Sequence, residues 1–368
     1  MADKPGLKAV DMFRAVGAGR IKAIWIIHTN PVVSVADALR QCPFVVVSDL
    51  TAATDTAKLA HVLLPATSWG EKDGTVTNSD RTISRQRAVL SAPGLARDDW
   101  RILAGVAARM GFGAAFGWGN AAGVFREYAG LSGIAGWLGS DFDISDHAAI
   151  SVMEYEGLAP FTWPLNPRRK GGRFFGEGRF HTPDGRARML PIAPTLLEAL
   201  TPDAPFRLNT GRIRDQWHTM TRSAKSPRLS QHLAEPFLEI HPQDAVELAA
   251  KTADLVEVSN GLGRVILRTL ITDRVAKGEV FAPMHWTDEN AARARVDVLV
   301  PARVDPVSGQ PESKAAAVAV QRFAAKWYGF AVCAGEVEPQ AEYWAKARIS
   351  GGWRLELAGL TTPADWVA

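Results

Sequence analysis

The chain has 368 residues, which at roughly 100–200 residues per domain predicts two or three folded units. Its 47% hydrophobic and 22% charged residues are typical of globular proteins and exclude a disordered or collagen-like chain. The 42 basic and 39 acidic residues give a formal net charge of +3, too small an excess for a dedicated nucleic-acid binder. Two cysteines, Cys42 and Cys333, exclude a disulfide scaffold and a Cys-ligated iron–sulfur or zinc site within this chain.

The N-terminal 19 residues mix charged side chains with short apolar runs, so they lack the apolar core of a signal peptide. No apolar run reaches the roughly 18 residues that a membrane-spanning helix needs. We therefore expect a soluble, cytoplasmic protein with no membrane partner and no nucleic-acid partner.

The first 65 residues predict the order βαβαβ. The strands are expected at residues 21–27, 44–47 and 62–65, with a helix from near Ser34 to about Gln41 and a short helical turn at 55–60. The first strand is apolar nearly throughout, which predicts burial on both faces of a parallel sheet. In open parallel sheets ligands bind beyond the carboxyl ends of the strands, so we expect loops 28–31, 48–54 and 66–78 to share one rim.

The middle of the chain is less regular. A helical spacing covers residues 98–110, whereas the Gly/Ala-rich residues 111–139 allow no firm assignment. Short segments at 178–182 and 186–190 flank Pro183-Asp184-Gly185 and predict a β-hairpin.

The second half changes to short strands with little helix between them, which predicts a β-barrel. We expect strands at residues 206–209, 237–240, 255–259, 263–269 and 279–282. One helix interrupts them, beginning at Pro242 and ending at about Lys251.

Two polar segments are candidate ligand loops, and one glycine motif is not. The run Gly117 to Ala122 fits G-x-G-x-x-A but follows no predicted strand, so we interpret it as a packed or flexible segment. In residues 69–81, Lys72 and Arg81 could neutralise an anion while Gly74 lets the backbone approach it; a solvated loop is the alternative.

The segment from Asn209 to Arg222 combines hydroxyls, a glycine, three arginines, a Trp and a His. The hydroxyls and arginines would suit phosphate oxygens, and Trp217 could stack on a heteroaromatic ring. We assign His218 a ligand contact and no acid–base role. His285 and Lys314 are equally well interpreted as ligand contacts or as ordinary surface residues.

Together these segments resemble the molybdopterin-dinucleotide oxidoreductases of the dimethyl-sulfoxide-reductase class, and within it the assimilatory nitrate reductases. In the first half the resemblance rests on HTNP at 28–31, VVVSDLTAATDTAKLA at 45–60, LLPATSWGEKDGTVTNSDR at 63–81 and APGLARDDW at 92–100. In the second half it rests on NTGRIRDQWHTMTRSAKSP at 209–227, EIHPQDA at 239–245, PMHWTDENAARARVD at 283–297 and DPVSGQPESK at 305–314.

The resemblance implies an α/β fold in which a parallel-sheet βαβ half-domain precedes a double-psi β-barrel-like dinucleotide-binding domain. The implied domains are residues 1–110, a connecting segment 111–200, the barrel 205–325 and a C-terminal extension 326–368. The implied cofactor is molybdenum held by two molybdopterin guanine dinucleotides. Its first arm would contact Asn30, Ser48, Asp49, Lys72 and Asp99. Its second arm would contact Thr210, Gly211, Arg212, Gln216, Trp217, His218, Thr219, His285, Asn290 and Lys314.

The same resemblance implies reduction of nitrate to nitrite by oxygen-atom transfer, with electrons from ferredoxin, flavodoxin or an NADH-dependent reductase subunit. The family's [4Fe-4S] ligands and its molybdenum ligand match nothing here, so we expect the catalytic residues and the cluster in a preceding N-terminal part. We interpret the chain as a C-terminal cofactor-binding portion that is inactive alone. Alternatives are a formate dehydrogenase, an oxyanion or sulfoxide reductase, and a non-catalytic scaffold of this fold.

Overall fold

The structure is a computed structural model that describes residues 5–191 and 197–362. The chain divides into two compact units, one formed by residues 1–63 with 195–368 and the other by residues 64–194. The first unit is therefore discontinuous in sequence and contains both the N-terminal α/β region and the barrel. The four domain boundaries expected from the sequence remain a prediction. Over the described ranges, no helix is both long enough and apolar enough to cross a membrane.

The N-terminal region has the predicted βαβαβ order. Its elements are α1 (Ala9–Gly17), β1 (Ala23–Ile27), α2 (Val32–Arg40), β2 (Phe44–Asp49), a 3-10 turn (Ala57–Leu59) and β3 (Val62–Pro65). Strands β1 and β2 pair in parallel within a sheet of order β1-β2-β3. Helix α2 begins at Val32, two residues before the expected start. Pro31 directly precedes it, at a position where the missing backbone N–H of proline costs no helical hydrogen bond. Cys42 is buried in the apolar core beside this sheet.

One prediction for this region is wrong. Strand β1 was expected to be buried on both faces, but Ile26 is its one buried residue and Ile27 is 39% exposed. The reason is the strand order. β1 lies at an edge of the three-stranded sheet and has a neighbouring strand on one side only, whereas β2 has a neighbouring strand on both sides.

The second unit mixes short strands with helices. Its elements are a 3-10 turn (Trp69–Glu71), β4 (Gly74–Thr77), β5 (Thr82–Gln86), α3 (Asp99–Arg109), a 3-10 turn (Gly113–Phe116), α4 (Ala121–Trp137), a 3-10 turn (Ser145–His147), α5 (Val152–Glu156), β6 (Phe161–Thr162), β7 (Leu165–Asn166) and β8 (Arg169–Lys170). Helix α3 confirms the predicted helix. Helix α4 fills the Gly/Ala-rich stretch that the sequence left unassigned, and the Asn120 side chain caps it by accepting from the Gly123 amide.

The hairpin predicted around Pro183-Asp184-Gly185 is wrong in part. A turn forms, in which the Phe180 amide donates to the Gly185 carbonyl at 2.9 Å, but residues 178–190 contain no strand. The flanking side chains Met189 and Leu190 are largely exposed. They cover no core, so nothing stabilises a two-stranded ribbon here.

The barrel has six strands and is closed. Its elements are β9 (Phe206–Gly211), a 3-10 turn (Ser223–Lys225), α6 (Pro227–Ser230), β10 (Phe237–Ile240), α7 (Pro242–Glu247), β11 (Leu255–Asn260), β12 (Gly263–Ile271), β13 (Glu279–Pro283), a 3-10 turn (Val296–Leu299) and β14 (Ala316–Arg322). The strand order is β10-β12-β11-β14-β9-β13, and the pairs β10/β12 and β13/β9 are parallel. All five predicted strands are present, whereas β14 was not predicted. Helix α7 ends at Glu247, earlier than expected.

A three-stranded antiparallel sheet follows the barrel. It consists of β15 (Trp327–Cys333), β16 (Tyr343–Ile349) and β17 (Gly352–Gly359), in the order β15-β17-β16. Tyr343 and Ala358 share an apolar cluster with Trp286 and Ala291 of the loop after β13. The Ala292 amide also donates to the Trp344 carbonyl at 2.8 Å. The sheet thus holds in place the loop that carries two candidate site residues, His285 and Asn290.

Candidate cofactor-binding site

Three predicted contact residues lie at the carboxyl ends of β1 and β2. Asn30 follows β1, and its Oδ1 accepts hydrogen bonds from the Thr56 amide at 3.1 Å and the Thr56 hydroxyl at 2.5 Å. Its Nδ2 is buried and has no acceptor among the described residues. Ser48 is buried at the end of β2, where its Oγ accepts from Trp25 Nε1 at 2.9 Å. The adjacent strand ends thus place one hydrogen-bonded hydroxyl and one unsatisfied amide at the same sheet edge.

Asp49 is the acidic group of this edge. It is buried, and its Oδ1 accepts from the Leu50 amide at 2.6 Å. Burial is the largest influence and raises the pKa of the carboxyl; the Leu50 amide and the charge of Lys225 oppose that rise. A carboxylate so placed can accept hydrogen bonds from the N–H groups of a purine edge.

The loop at residues 212–219, which follows β9, is held by His285. This histidine is fully buried; its Nδ1 donates to the His218 carbonyl at 2.6 Å and its Nε2 accepts from the Ile213 amide at 2.9 Å. This pattern requires the neutral ring with its proton on Nδ1, and burial lowers the pKa of His285 accordingly. Both ring nitrogens are therefore used within the protein, so His285 supports the loop and offers no ring nitrogen to a ligand.

Other predicted residues of this region are also bonded within the fold. The Thr210 hydroxyl donates to the Ser313 carbonyl at 2.6 Å, and Lys314 Nζ donates to the Thr210 carbonyl. The Gln216 amide accepts from the Ser223 hydroxyl at 2.5 Å and donates to a carbonyl at 3.2 Å. These contacts fix the shape of the loop.

Gly211 is required for packing. A Cβ built on it would lie 2.7 Å from Cε2 of Phe281, which is closer than real carbon atoms approach. The neighbouring β13 strand therefore accounts for the glycine without a ligand.

The loop presents its remaining predicted residues to the surface. Arg212, Trp217 and His218 are exposed, and Thr219 is half-buried. The Arg222 guanidinium lies 4.5 Å from the Trp217 ring centroid, a cation–π contact. Burial, and then the charges of Arg212 and Arg222, lower the pKa of His218. The result is a cationic surface with one aromatic face, which suits an anion attached to a ring.

The loop after β13 meets the sheet edge within the first unit. The Asp288 amide donates to Asp55 Oδ2 at 3.3 Å, and Arg295 Nη1 donates to the Val32 carbonyl at 2.9 Å. Lys225 pairs with the buried Glu289. Next in sequence, Asn290 is buried, and its Nδ2 has no acceptor among the described residues. The two unsatisfied amides therefore belong to elements that contact one another.

Two further predicted residues lie in the second unit. Lys72 and Asp99 form an ion pair at 2.7 Å, with both side chains partly buried. Arg81, expected to neutralise an anion, instead donates to the carbonyls of Trp163 at 2.9 Å and Gly172 at 2.6 Å. Of the three loops expected to share one rim, 28–31 and 48–54 lie in the first unit and 66–78 in the second.

The sequence did not single out Thr56, Asp55, Lys225 and Glu289, which complete the site. Thr56 and Asp55 directly follow the predicted rim loop 48–54, so their closeness to that rim is an available signal. Lys225 and Glu289 carried no such signal, because their pairing joins segments about 60 residues apart.

The residues fit a bulky, anionic and heteroaromatic ligand. Burying an amide N–H without an acceptor costs on the order of 1–3 kcal/mol, so Asn30 and Asn290 gain from a ligand that supplies carbonyl or phosphate oxygens. Exposed Arg212 and Trp217 add charge and a stacking face. Over the described part of the chain, no group of three or more His, Cys, Asp or Glu could hold a metal ion.

Two family models match the chain. The model described as molybdopterin oxidoreductase matches residues 1–109, and the one described as molydopterin dinucleotide binding domain matches residues 206–317. The second range contains strands β9 to β13, the first two residues of β14, and the loops after β9 and β13 that carry part of the site.

Curated relatives cover most or all of the chain. A protein named nitrate reductase from Klebsiella oxytoca is 44% identical over 376 residues, spanning 100% of this chain and 43% of the relative. The assimilatory nitrate reductase catalytic subunit of Bacillus subtilis is 31% identical, and the match covers 86% of this chain and 44% of the relative. The F420-dependent formate dehydrogenase subunit alpha of Methanocaldococcus jannaschii is 32% identical, and the match covers 86% of this chain and 45% of the relative. The chain thus spans less than half the length of these relatives.

A solved structure shares the fold. Acetylene hydratase from Pelobacter acetylenicus matches with a TM-score of 0.68 at 17% identity, covering 85% of this chain and 46% of that one. This likeness supports the mixed α/β class with a parallel sheet and a closed barrel, as expected from the sequence. From the two family models and the curated relatives, this chain belongs to the molybdopterin oxidoreductase family.

Proposed function

We propose that this chain is the cofactor-holding part of a molybdenum-dependent nitrate reductase that serves nitrate assimilation in the cytoplasm. Nitrate would be converted with two electrons and two protons to nitrite and water, by the complete polypeptide and not by this chain alone. When bound, the molybdenum group would supply the oxygen-atom transfer. The proposed cofactor is the bis(molybdopterin guanine dinucleotide) form, with a [4Fe-4S] cluster in another part of the protein.

The observation that carries the proposal is the pair of buried, unsatisfied amides, Asn30 and Asn290. Both were expected to be cofactor contacts from the sequence resemblance, and both keep a hydrogen-bond donor without a partner among the described residues. Asp49 adds an acceptor for guanine N–H groups, and the loop with Arg212 and Trp217 adds charge and a stacking face. The role of these residues is to bind and orient the nucleotide arms.

The test uses the full-length protein that contains this chain. In Asn30→Asp and Asn290→Asp the side chain keeps its shape and loses its donor. We expect each variant to purify with several-fold less molybdenum and guanine nucleotide, measured by metal analysis and by nucleotide released on acid treatment. Asn166→Asp is the matched control, because among the described residues the Asn166 side chain bonds only through its oxygen, which accepts from two backbone amides at 2.9 Å. Equal cofactor content in all three variants would contradict the binding role.

Substrate assays separate the candidate reactions. With a reduced dye, nitrate should yield nitrite; with an oxidised dye, formate should not be consumed. The formate reaction is the second candidate because formate dehydrogenase relatives are also about one-third identical. Formate oxidation without nitrate reduction would replace the proposed substrate. A protein purified from its own host with neither molybdenum nor pterin would favour the non-catalytic scaffold.

A further inference from the structure

An unusually cationic segment lies in the second unit, outside both ranges matched by the family models. Residues 168–188 contain seven Lys or Arg and two acidic residues, a formal net charge of +5 in a chain whose total is +3. The remainder of the chain is therefore slightly acidic. This concentration of charge is not explained by the cofactor site described above.

Most of these cations point to solvent. Six of the seven are exposed, and we call them the basic surface: Arg168, Lys170, Arg173, Arg179, Arg186 and Arg188. Nearby carboxylates compensate little of their charge. Asp146 lies 3.5 Å from Lys170, and Asp141 pairs with His181 at 2.8 Å. Asp184 accepts from the Thr182 hydroxyl and the Arg186 amide.

The three arginines in the C-terminal half of the segment have the fewest contacts with other polar groups. Among the described residues, Arg179, Arg186 and Arg188 form no ion pair and donate no side-chain hydrogen bond. Folding therefore gains little from them. Like charges held together without partners repel each other, so an anionic partner would stabilise this segment.

The local geometry favours a protein surface over a nucleic acid. Binding of single-stranded nucleic acid needs aromatic faces open for base stacking. Here the rings of Phe175 and Phe180 stack on each other at 5.1 Å and 9°, and the Arg168 guanidinium lies 5.0 Å from the Trp137 ring centroid. These faces are partly occupied within the protein, whereas Arg179, Arg186 and Arg188 form no ion pair among the described residues.

We propose that the basic surface docks an acidic protein that delivers electrons for nitrate reduction. The inference rests on the proposed function, because that reaction consumes two electrons per nitrate and needs a reductant. Electron-transfer complexes typically have small interfaces and short lifetimes. Charge complementarity accelerates their formation and does not require a large apolar interface. Exposed arginines on a segment with little regular structure provide such a surface.

The experiment compares two triple variants of the full-length enzyme. The first is Arg179→Gln/Arg186→Gln/Arg188→Gln. The control is Arg20→Gln/Lys251→Gln/Lys326→Gln, which removes the same charge from exposed positions in the first unit. Each is assayed for nitrite formation with a reduced dye and with reduced flavodoxin or ferredoxin, at increasing salt.

We expect the first variant to raise KM for the acidic donor by about tenfold and to flatten its salt dependence, because steering by clustered charge is worth at least that factor. Its dye-driven activity and its thermal unfolding should match those of the control. An unchanged KM for the donor would overturn the proposal, as would dye-driven turnover with no turnover from either acidic donor.

Two other outcomes would show that the basic surface has a different partner, and either would also overturn the proposal. A lowered unfolding temperature with an unchanged KM would show that the charges contact the rest of the polypeptide. Loss of affinity for a single-stranded oligonucleotide with an unchanged KM would show a nucleic-acid site. Absence of dye-driven activity in the wild-type enzyme would instead refute the proposed function, so the two failures are distinguishable.

Discussion

The buried carboxyl of Asp55 should make stability depend on pH in an unusual direction. Asp55 is 6% exposed and accepts from the Asp288 amide at 3.3 Å. Burial, followed by the like charge of Asp288, raises its pKa from 3.8 to about 6. Since the folded state holds this proton more tightly than the unfolded chain does, the contribution of Asp55 to stability is complete below pH 3.8. It is lost as pH rises through about 6.

The magnitude follows from the pKa difference. A rise from 3.8 to about 6 corresponds to a cost of about 3 kcal/mol once the carboxyl is ionised in the folded protein. Asn at this position cannot ionise and can still accept from the Asp288 amide. Asp55→Asn should therefore raise the free energy of unfolding at pH 7.5 by about 1–3 kcal/mol, and the gain should disappear near pH 4.

Urea unfolding followed by tryptophan fluorescence between pH 4 and pH 8 would measure this effect. The exposed Asp203 offers a matched control, and Asp203→Asn should leave the curve of stability against pH unchanged. In Asp288→Asn the pH dependence should weaken, because a like charge is removed. The reasoning would be refuted if wild type and Asp55→Asn showed the same pH dependence between pH 4 and pH 7.

Two further substitutions test the site loop and the second unit. In His285→Phe, the Ile213 amide and the His218 carbonyl lose their partners at a cost of about 1–3 kcal/mol each. Trypsin should then cleave the loop after β9 at least several-fold faster, and an unchanged rate would argue against the positioning role. In Arg85→Met, Asp73 loses its 2.5 Å partner, and a buried guanidinium stacked on an aromatic ring is replaced. We expect unfolding of the second unit to become easier by about 3 kcal/mol, as measured by denaturant titration; a change below 1 kcal/mol would contradict this.

The elements that the sequence predicted well have local signals. Strands such as Phe237–Ile240 are short apolar runs between polar or proline residues, and helix α3 repeats apolar residues at helical spacing. The Gly/Ala-rich helix α4 was left unassigned because its apolar residues surround the axis and give no clear periodicity. Strand β14 is not predicted for a related reason: three of its seven residues are alanines, and only Val318 and Val320 are β-branched residues of the kind that indicate a strand.

The candidate site, too, could be predicted only in part from local sequence signals. Residue type and order were enough to place Asn30 and Asp49 at strand ends and to select the loop around Trp217. They were not enough to separate His285, whose ring nitrogens are both used by the fold, from Asn290, whose amide is left unsatisfied. That distinction depends on hydrogen bonds between segments about 70 residues apart, which no local pattern contains.

The sequence by itself determined the order of helices and strands, the change from an α/β region to a barrel, and the family resemblance, because each depends on residues close together in the chain. Tertiary structure decided that the α/β region and the barrel form one unit, since Asp288 and Arg295 bond to the sheet region more than 230 residues earlier. It also decided which polar groups remain without partners. Hydrogen-bond satisfaction is a property of the whole fold, and only there do two asparagines become available to a ligand.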